Sequence, residues 1–391
     1  MKRRIGIVGA GVAGLTAAIR SLELDADVVL FERSHVGSGS STLSAGVFSV
    51  NQLDRLTLEV RIAARNYVDW LENERGLHVR RDGYLRLAAT DEQLARFEES
   101  LVLQEALGIE PSTVLNRDGL NSLLPELRID DLAGGMLNVR DGRIDGSDLC
   151  NILAEEATRR GAIIHLNAPV VDAQRTSDGT HVLISSRERW ECEFVVNAAG
   201  PWASHVGELL GQPLPLVNQR HEILLVQLPR NYRYEGPFVQ EYVPGAATEG
   251  VYFGGEAEGT LIAGLHSHDV LAGLASEDPD TYSRTIDWNV IERVARKLSH
   301  RLLLDDMSFG NGWCGLYPVS PDAAYIVGPY ADDPTIIALG GLAGAGLASG
   351  LAVGRIAIEW ALLGNPTTVS DATPFLPDRQ SLKVPQATLN A

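Results

Sequence analysis

Cysteine and positive charge are both scarce in this sequence, and each shortage argues against a class of protein. Only three cysteines occur in 391 residues, and no two of them form a C-x-x-C pair. That pattern is typical of a reducing compartment, without a disulfide framework or a cysteine-based zinc site. The formal net charge of −18 argues against a nucleic-acid partner, because neutralising phosphates needs clustered lysine and arginine.

Long uncharged runs are also scarce, and one of them, Ile336–Val353, has the length of a membrane span. It holds five glycines, and Gly346, Gly350 and Gly354 recur every four residues. We therefore predict a strand, a glycine turn and a helix whose glycine face approaches a sheet, and no membrane span. At the N-terminus, glycines and Arg20 interrupt the first apolar run. No signal peptide is predicted there, and a cytoplasmic location is expected.

The first part of the chain carries a motif built from a strand, three glycines, a helix, a second strand and an acidic residue. These parts are Ile5–Val8, Gly9, Gly11, Gly14, Val12–Leu22, Asp27–Phe31 and Glu32. In such an arrangement the first glycine permits a tight turn, the second admits a pyrophosphate, and the third lets the helix pack on the strand. The helix N-terminus then faces the phosphates, and Glu32 reaches a ribose. This order predicts a dinucleotide site rather than a chance glycine turn.

Apolar periodicity and turn residues predict further elements. Helices are expected at Thr57–Glu74, Asp91–Leu107, Ser147–Arg160 and Asp287–Leu304. Short β-like runs between Leu214 and Leu265, separated by glycine and proline, indicate a mostly antiparallel sheet. The glycine- and serine-rich run Gly37–Gly46 is either a second cradle for the cofactor or a flexible loop. Small residues also follow the apolar strand Phe194–Val196, where an open α/β sheet presents ligand contacts.

A nucleotide-binding start, a sheet of different character and a glycine-rich end predict a discontinuous first domain. We assign residues 1–78, 142–212 and 318–373 to a Rossmann-like cofactor-binding domain of the α/β type. Residues 79–141 and 213–317 would form an inserted substrate domain, a mostly antiparallel β-sheet that adds an α+β part. Residues 374–391 contain several prolines and are expected to form a surface tail.

Five segments, taken in order, carry a resemblance to a known family. They are the opening glycines with Glu32, then Gly37–Gly46, Val196–Trp202, Trp313–Asp322 and Gly340–Leu347. With them the chain resembles the FAD-dependent D-amino acid oxidase superfamily, in particular its glycine oxidase, sarcosine oxidase and dimethylglycine dehydrogenase branch. The resemblance implies a Rossmann-like FAD-binding domain. It also implies removal of a hydride from the C–N carbon of an amino acid or secondary amine, which gives an imine.

The resemblance also implies cofactor contacts. Glu32 would hold the adenosine ribose, the Val170 backbone would meet the adenine, and Ser41 would lie with Thr42 near the pyrophosphate or flavin. Gly344 and the residues after it would approach the pyrimidine edge of the flavin, where N–H groups can stabilise negative charge. The complete predicted cofactor-binding set is Gly9, Gly11, Gly14, Glu32, Arg33, Ser41, Thr42, Val170, Ala199, Gly200, Gly344, Ala345, Gly346 and Leu347. No metal site is predicted.

Several positions depart from the pattern of those relatives. Tyr317 and Ala348 stand where relatives often carry a basic residue that pairs with the substrate carboxylate, and a phenol cannot replace a fork-shaped arginine pair. Ile262 stands where many sarcosine oxidase-like members place a lysine that promotes reaction with oxygen, which favours a dehydrogenase over an oxidase. Cys314 lies one residue before the cysteine that binds flavin covalently in some relatives, so FAD is predicted to be non-covalent. A covalent link through His35 is the alternative.

The polar residues left to meet a substrate are Arg220, His221, Tyr252, His266 and Tyr317. His266 matches a histidine that lies over the flavin in sarcosine oxidase-like relatives, and it could act as a base. Arg220 is the remaining candidate for a carboxylate anchor. For each of the five, the alternative is a strand residue that is hydrogen-bonded to its neighbours or faces water.

Three functions stay open at this point. The first is an FAD-dependent amine or amino acid oxidoreductase, with oxygen, a quinone or a protein as the electron acceptor. The second is an FAD-dependent 2-hydroxy acid or alcohol dehydrogenase, which needs a base such as His266 or His221 to take the hydroxyl proton. The third is a flavin-binding subunit of a heteromeric complex, because heteromeric relatives pair such chains with partner subunits.

Overall fold

The chain combines α-helices with several runs of consecutive strands. The computed structural model describes residues 2–245, 249–266 and 276–383. The strands of these residues are β1 (Arg4–Val8), β2 (Asp27–Phe31), β3 (Val47–Phe48), β4 (Val79–Arg80), β5 (Tyr84–Ala88), β6 (Thr113–Leu115), β7 (Gly134–Asn138), β8 (Gly142–Ile144), β9 (Ile163–His165), β10 (Val170–Arg175), β11 (His181–Ser185), β12 (Arg189–Cys192), β13 (Phe194–Asn197), β14 (Val217–Gln227), β15 (Phe238–Gln240), β16 (Gly250–Ala257), β17 (Thr260–His266), β18 (Ser308–Val319), β19 (Ile326–Pro329) and β20 (Ile336–Gly340). The α-helices are α1 (Val12–Glu23), α2 (Arg55–Arg75), α3 (Asp91–Ala106), α4 (Arg117–Leu123), α5 (Gly146–Arg160), α6 (Ala203–Leu209), α7 (Trp288–Arg301) and α8 (Gly346–Leu363). Short 3-10 helices occupy Gly200–Trp202, Thr373–Phe375 and Gln380–Lys383.

The N-terminal motif lies in the middle of a six-stranded sheet with the strand order β19-β20-β13-β1-β2-β9. Its strands are parallel except for β19, which is antiparallel to β20. Ile7 and Val8, which point to opposite faces of β1, are both buried, as expected for a parallel strand that is covered on both faces. The C-terminal ends of β1, β2, β13 and β20 therefore lie side by side, where an open α/β sheet binds its ligands.

The long apolar helix α8 packs against α1 through its glycines. A Cβ atom added to Gly354 would lie 2.4 Å from the Ala13 carbonyl oxygen, and one added to Gly350 would lie 2.9 Å from Cγ1 of Val12. The expectation that this face approaches a sheet is wrong: it meets another helix, because glycine allows two helix backbones to come this close. Of the described helices, α8 alone is long and apolar enough to cross a membrane, and 67% of it is buried inside the protein.

Strands from two separate stretches of the chain form an eight-stranded sheet with the order β18-β14-β17-β16-β15-β5-β7-β6. Neighbouring strands are antiparallel except for β15 and β5, which are parallel. Two three-stranded sheets have the orders β10-β11-β12 and β3-β8-β4. The predicted mixed fold, α/β with an added antiparallel sheet, is confirmed, whereas the predicted domain boundaries stay predictions.

The predicted helices are present, and their ends differ from the predicted ends by at most three residues. Polar side chains define several of the starts. Thr90 accepts a hydrogen bond from the Gln93 N–H at α3, and Asp145 accepts from the N–H groups of Ser147 and Asp148 at α5. β6, α4 and β7 have no counterpart among the predicted elements. They are 3, 7 and 5 residues long, too short to show a clear period.

The segment after α8 returns to pack beside β19. Phe375 and Leu382 are buried, and Arg379 donates to both carboxylate oxygens of Asp322, at 2.6 and 2.7 Å. Residues 374–383 run along the surface, where two apolar side chains and an ion pair hold them on the protein; the predicted boundary of the tail stays a prediction. Residues 384–391 lie outside the described residues.

Candidate functional site

The glycine motif forms one wall of a cavity at the C-terminal ends of β1, β2, β13 and β20. Gly9 has a φ angle of +110°, and a Cβ atom there would lie 2.5 Å from the Ala198 carbonyl oxygen. Among described residues, a Cβ atom on Gly11 would meet only Ser41 Oγ, at 3.1 Å. The lining of this first cavity includes eleven of the fourteen predicted cofactor-binding residues: Gly9, Gly11, Glu32, Arg33, Ser41, Val170, Ala199, Gly200, Gly344, Gly346 and Leu347.

The other three predicted residues, Gly14, Thr42 and Ala345, lie outside the described part of that lining. A Cβ atom on Gly14 would lie 2.0 Å from the Gly9 carbonyl oxygen, so this glycine allows α1 to pack against the turn. Thr42 Oγ1 donates to the Gly37 carbonyl oxygen at 3.0 Å. Because its hydroxyl is used within the loop, the predicted contact of Thr42 with the cofactor is not supported. Ala345 lines a second cavity instead.

Glu32 follows β2, and its carboxylate lies at the cavity wall. Oε2 accepts a hydrogen bond from the Ala10 N–H at 2.9 Å, and Oε1 accepts from the Ser34 N–H at 2.8 Å. Ser38 Oγ also donates to Oε1, at 3.2 Å. The residue is only 6% exposed, so three donors fix a buried carboxylate. A carboxylate has about four acceptor positions, which leaves capacity for a ligand in the cavity.

The serine-rich loop lies across the N-terminus of α1. Ser41 Oγ accepts a hydrogen bond from the Val12 N–H at 3.3 Å, and Ser40 Oγ donates to the Leu316 carbonyl oxygen at 2.7 Å. The N-cap residue of α1 is Gly11, which has no side chain to cover the helix end. The positive end of the helix dipole therefore faces the cavity, where it favours a bound phosphate.

An ion pair and a tryptophan border the cavity near Glu32. Arg33 Nη1 lies 2.7 Å from Asp280 Oδ1, and the guanidinium carbon of Arg33 lies 4.5 Å from the centre of the Trp202 ring. Trp202 Nε1 donates to the same Asp280 oxygen at 3.0 Å. The sequence analysis selected Arg33 but not Asp280, because no local pattern connects residues so far apart in the chain.

The turn between β20 and α8 forms another wall of the first cavity. Gly344 has a φ angle of +79°, and a Cβ atom there would lie 2.2 Å from Tyr317 Cε2. Gly346 is the first residue of the 18-residue helix α8, and it lines the cavity with Leu347. A second helix N-terminus therefore borders the cavity, and its N–H groups can stabilise negative charge.

A second cavity lies between this turn and the eight-stranded sheet. Four residues belong to the lining of both cavities: Ser44, Tyr317, Gly344 and Leu347. The second cavity also brings together Tyr252 and His266, two residues predicted to meet the substrate. Burial raises the pKa of Tyr317 to about 12 and the pKa of Tyr252 well above its usual value. Both phenols are therefore protonated at neutral pH.

Two histidine rings contact Tyr317. His221 stacks on it with ring centres 3.8 Å apart, and His266 approaches it edge to face with ring centres 6.3 Å apart. His266 also makes an edge contact with the Tyr242 ring, at 5.1 Å. Of the two histidines, only His266 belongs to the described lining of the second cavity. His266 can thus meet a ligand directly, whereas His221 supports the Tyr317 ring.

Arg220 lies outside both cavities, as far as their linings are described. Its Nη2 atom is 3.1 Å from Glu222 Oε1 and 3.9 Å from Asp287 Oδ2. Because both partners are acidic, the charge of Arg220 is balanced within the protein. These contacts give no support to its predicted role as a carboxylate anchor, which stays a prediction.

The second cavity contains polar residues that the sequence analysis did not select. Arg61 of α2, Arg86 of β5 and Gln240 of β15 all line it. A signal for Arg86 exists in the sequence, because it is a charged residue inside the apolar strand Tyr84–Ala88, all of which is buried. Burying a charge is costly, so such a residue needs a partner or a function. Arg61 gives no such signal, because it lies on an amphipathic helix.

The residues considered for a covalent flavin link lie away from the first cavity. Cys314 is buried in β18, and burial raises its pKa. His35 is exposed, and its Nδ1 atom lies 3.1 Å from Ser34 Oγ. Neither belongs to the described lining, although Gly315, the neighbour of Cys314, does. The described residues include no group of three or more histidine, cysteine, aspartate or glutamate side chains that could hold a metal ion.

Comparison with known protein families identifies the family of this chain. The family model DAO, described as FAD dependent oxidoreductase, matches residues 4–360. This chain belongs to the DAO family. As a DAO-family member it is an FAD-dependent oxidoreductase, and the first cavity fits FAD. The uncovered backbone at Gly11 admits phosphates, and the buried Glu32 carboxylate offers acceptors to a ribose.

Curated relatives include enzymes that act on small amino acids. Dimethylglycine dehydrogenase of Rattus norvegicus mitochondria is 26% identical over 374 residues, which cover 92% of this chain and 43% of that protein. Sarcosine dehydrogenase of Homo sapiens mitochondria is 25% identical over 374 residues, which cover 92% of this chain and 40% of that protein. The DAO-family chain thus spans about two-fifths of the length of these relatives. Glycine oxidase of Geobacillus kaustophilus (strain HTA426) is 25% identical over 338 residues, 84% of each chain.

Solved structures share the fold over nearly the whole chain. L-proline dehydrogenase from P. horikoshii superposes with a TM-score of 0.83 and 20% identity, over 96% of this chain and 97% of that one. Glycine oxidase from Geobacillus kaustophilus superposes with a TM-score of 0.77 and 21% identity, over 97% of this chain and 100% of that one. At these identities the likeness shows the DAO fold alone.

Proposed function

We propose that the protein is an FAD-dependent dehydrogenase that oxidises the C–N carbon of an amino acid or secondary amine to an imine. The observation that carries this proposal is that two cavities meet at four shared residues, Ser44, Tyr317, Gly344 and Leu347. When bound, FAD accepts a hydride from the carbon that bears the amine. The relatives and neighbours named for dimethylglycine, sarcosine, glycine and proline support this substrate class.

The side chains of the second cavity suit an amine that binds without charge. Arg61 and Arg86 lie in its wall, and nearby positive charge disfavours the ammonium form of a bound amine. Tyr252 and Tyr317 stay protonated, so they hydrogen-bond the substrate and do not take its proton at neutral pH. The task of these residues is to orient the C–H bond toward the first cavity and to exclude water.

The N-terminus of α8 would favour the reaction from the first cavity, where it would stabilise negative charge on the cofactor. FAD that accepts a hydride would gain negative charge, and the N–H groups and dipole of a helix N-terminus would stabilise such charge. Gly346 and Leu347 begin this helix and line the first cavity. Their N–H groups would hold the cofactor from this side and favour its reduced form.

We also propose that oxygen is a poor electron acceptor and that FAD is held without a covalent bond. Ile262 is 1% exposed in an apolar cluster with Tyr84, Phe238 and Tyr252, so its position carries no ammonium group. A quinone or a protein is then the expected acceptor. Acid precipitation checks the binding mode, because non-covalent flavin appears in the supernatant and covalent flavin stays with the precipitate.

Anaerobic reduction of the holoenzyme tests the reaction. Glycine, sarcosine, dimethylglycine, L-proline, D-proline and a set of 2-hydroxy acids are added separately, and loss of the flavin absorbance is recorded. We expect an amine to bleach the flavin, and a dye to reoxidise it faster than air does. Bleaching by hydroxy acids alone would contradict amine oxidation, and reoxidation by air as fast as by dye would contradict the dehydrogenase assignment.

Oxidation of a 2-hydroxy acid is a second candidate, because His266 lines the second cavity and can serve as a base. The His266→Ala variant separates the two reactions. Alcohol oxidation needs a group that takes the hydroxyl proton, so this substitution should lower its kcat by about 100-fold or more. Amine oxidation should retain most of its kcat, with a larger effect on KM.

A flavin-binding subunit is a third candidate, supported by one relative. Mouse (Mus musculus) mitochondrial pyruvate dehydrogenase phosphatase regulatory subunit is 24% identical over 387 residues, which cover 93% of this chain and 42% of that protein. A defined partner that co-purifies with the tagged chain, together with flavin that no amine or hydroxy acid bleaches, would favour this function over catalysis.

We propose a reducing, cytoplasmic location. The three cysteines, Cys150, Cys192 and Cys314, are buried thiols that form no disulfide, which supports a reducing compartment. Cell fractionation tests the location.

A further inference from the structure

Arg86 is a buried cation whose guanidinium is only partly used by the protein. The residue is 5% exposed, and it lines the second cavity. Nη1 donates to the Tyr242 carbonyl oxygen, while Nε is buried without a hydrogen-bond partner. The guanidinium carbon lies 5.5 Å from the centre of the Tyr84 ring, and Arg86 forms no ion pair with an acidic side chain of the described residues. A buried cation without a carboxylate partner is costly, so this position favours a bound anion.

Arg61 is a second arginine in the wall of this cavity. It projects from α2 rather than from the sheet, it lines the same cavity, and its Nε is also buried without a partner. The buried carboxylate of Asp141 interacts with Arg61 through charge, but it accepts a hydrogen bond from the Val50 N–H at 2.9 Å and lies 3.7 Å from Arg65. Asp141 is thus shared among several groups, and it does not belong to the described lining of the cavity.

The described lining of the second cavity contains no aspartate or glutamate. Two guanidinium groups thus face a space with no fixed negative charge in its described wall. Arginine presents several N–H donors in a planar fork, which matches a carboxylate better than any neutral group. The charge balance therefore favours an anionic ligand.

The sheet register places Arg86 in a row of polar cross-strand neighbours that runs toward Tyr252. Gln240 is the direct cross-strand partner of Arg86 on one side and of Tyr252 on the other. Cross-strand partners share a face of the sheet, and all three line the cavity. With strands about 4.8 Å apart, Arg86 lies roughly 10 Å from Tyr252 along this row. β18, which carries Tyr317, is five strands from β5.

We propose that Arg86, assisted by Arg61, binds the carboxylate of the substrate on the side of the second cavity that is remote from Tyr317. This rests on the proposed function and narrows it to anionic amines. The carboxylate anchor is then on β5 and α2 rather than at position 317, where the chain carries a phenol. The amine would lie toward Tyr317 and the shared wall, and the carboxylate away from it.

The alternative is that Arg86 serves only to hold the Tyr242 carbonyl oxygen. Arg96 offers a matched control, because its Nη1 donates to the carbonyl oxygen of Pro244 in the same loop at 3.0 Å. Arg96 does not belong to the described lining of the second cavity. Arg96→Met therefore removes a similar loop contact and leaves the cavity cations in place.

Titration of the FAD-loaded enzyme with butyrate and with butyramide tests the proposal. The two probes have nearly the same shape and differ in charge, and each is followed through the change it causes in the flavin absorption spectrum. Wild type should bind butyrate at least about 10-fold more tightly than butyramide. Arg86→Met should weaken butyrate binding by about 10- to 100-fold and leave butyramide within about 2-fold. Arg61→Met should have a smaller effect in the same direction, and Arg96→Met should match wild type.

The outcomes separate the possible failures. Equal affinities of wild type for both probes would overturn the proposal, as would an equal loss of both probes in Arg86→Met. If Arg86→Met loses its flavin, the wild-type comparison and Arg61→Met decide the matter. A wild-type chain that binds no FAD at all would instead contradict the proposed function.

Discussion

Single residues determine how firmly the FAD cavity holds its cofactor. Glu32 is fixed by the Ala10 and Ser34 N–H groups and by the Ser38 hydroxyl. Gly344 has the left-handed conformation and lies against Tyr317. At position 32 the surrounding hydrogen-bond donors require an acceptor, and at position 344 the Tyr317 ring leaves no room for a Cβ atom.

Replacing Glu32 by glutamine should weaken FAD binding by about 10- to 100-fold. A glutamine keeps the size but loses the charge, and its NH2 group would oppose N–H donors that now point at a carboxylate oxygen. The FAD dissociation constant, measured by fluorescence of released flavin, checks this. Glu193→Gln is the control, because Glu193 pairs with Arg3 at the surface. Equal affinities of the two variants would contradict the role given to Glu32.

Replacing Gly344 by alanine should disturb Tyr317 as well as the turn. The new Cβ atom would lie 2.2 Å from Tyr317 Cε2, so the ring or the start of α8 must move. Gly364→Ala is the control, because Gly364 at the other end of α8 also has a positive φ angle, nothing lies within 4 Å of its Cβ position, and it belongs to neither described cavity lining. Both variants carry a backbone cost of about 1–2 kcal/mol. Only Gly344→Ala should also lower kcat/KM by about 10-fold or more.

At the scale of helices and strands, the contact between α1 and α8 positions two helix N-termini at one cavity. Each helix begins with small residues, Gly11 before α1 and Ala345 before α8, and neither N-cap residue supplies a side-chain hydrogen bond to its helix. Gly350 and Gly354 bring the two helices close together. The packing of the core and the geometry of the site therefore depend on the same glycines.

Gly354→Ala should destabilise the protein by about 1–3 kcal/mol, because a methyl group 2.4 Å from the Ala13 carbonyl oxygen forces the helices apart. FAD affinity should fall with it, since both helix ends face the cofactor cavity. Urea unfolding with and without added FAD measures both effects. Gly310→Ala, with nothing within 4 Å of its Cβ position, should stay within about 0.5 kcal/mol of wild type.

The sequence predicts elements well where the pattern is long and local. The first strand, the glycine turn and α1 follow from period and glycine spacing within some thirty residues. Contacts across the fold are not visible in this way. Arg220 and Arg86 are both arginines on strands. Glu222 and Asp287 pair with Arg220, whereas Arg86 lies over the Tyr84 ring and forms no ion pair with a described acid. Only the strand order β15-β5 brings Arg86 beside Gln240 and the substrate cavity.

At the scale of the whole molecule, hydrogen bonds attach the segment after α8 to the residues just before β19, the edge strand of the six-stranded sheet. Asp322 lies just before β19, and it accepts from Arg379 and from the Ser381 hydroxyl. Burial alone would raise the pKa of Asp322, but these hydrogen bonds and the nearby guanidinium lower it to about 2. The carboxylate is thus much more stable in the folded protein than in the unfolded chain.

Asp322→Asn should lower the free energy of unfolding at pH 7 by about 2 kcal/mol. The pKa of the folded protein lies below the usual value of 3.8. The stabilisation is therefore fully present above about pH 4 and is lost as the pH falls toward about 2. Urea midpoints of wild type and variant should converge over that window. Asp332→Asn, at an exposed carboxylate bonded to Gln212, should show no such convergence, and a pH-independent deficit in Asp322→Asn would contradict the assignment.

The four residues common to both cavities have a thermodynamic consequence. Ser44, Tyr317, Gly344 and Leu347 line both cavities, so ligands in the two cavities would contact the same four residues. Binding of FAD and binding of a substrate analogue are then linked, and each should change the affinity for the other by the same factor. An unreactive carboxylic acid should therefore slow the release of FAD and delay formation of the apoprotein.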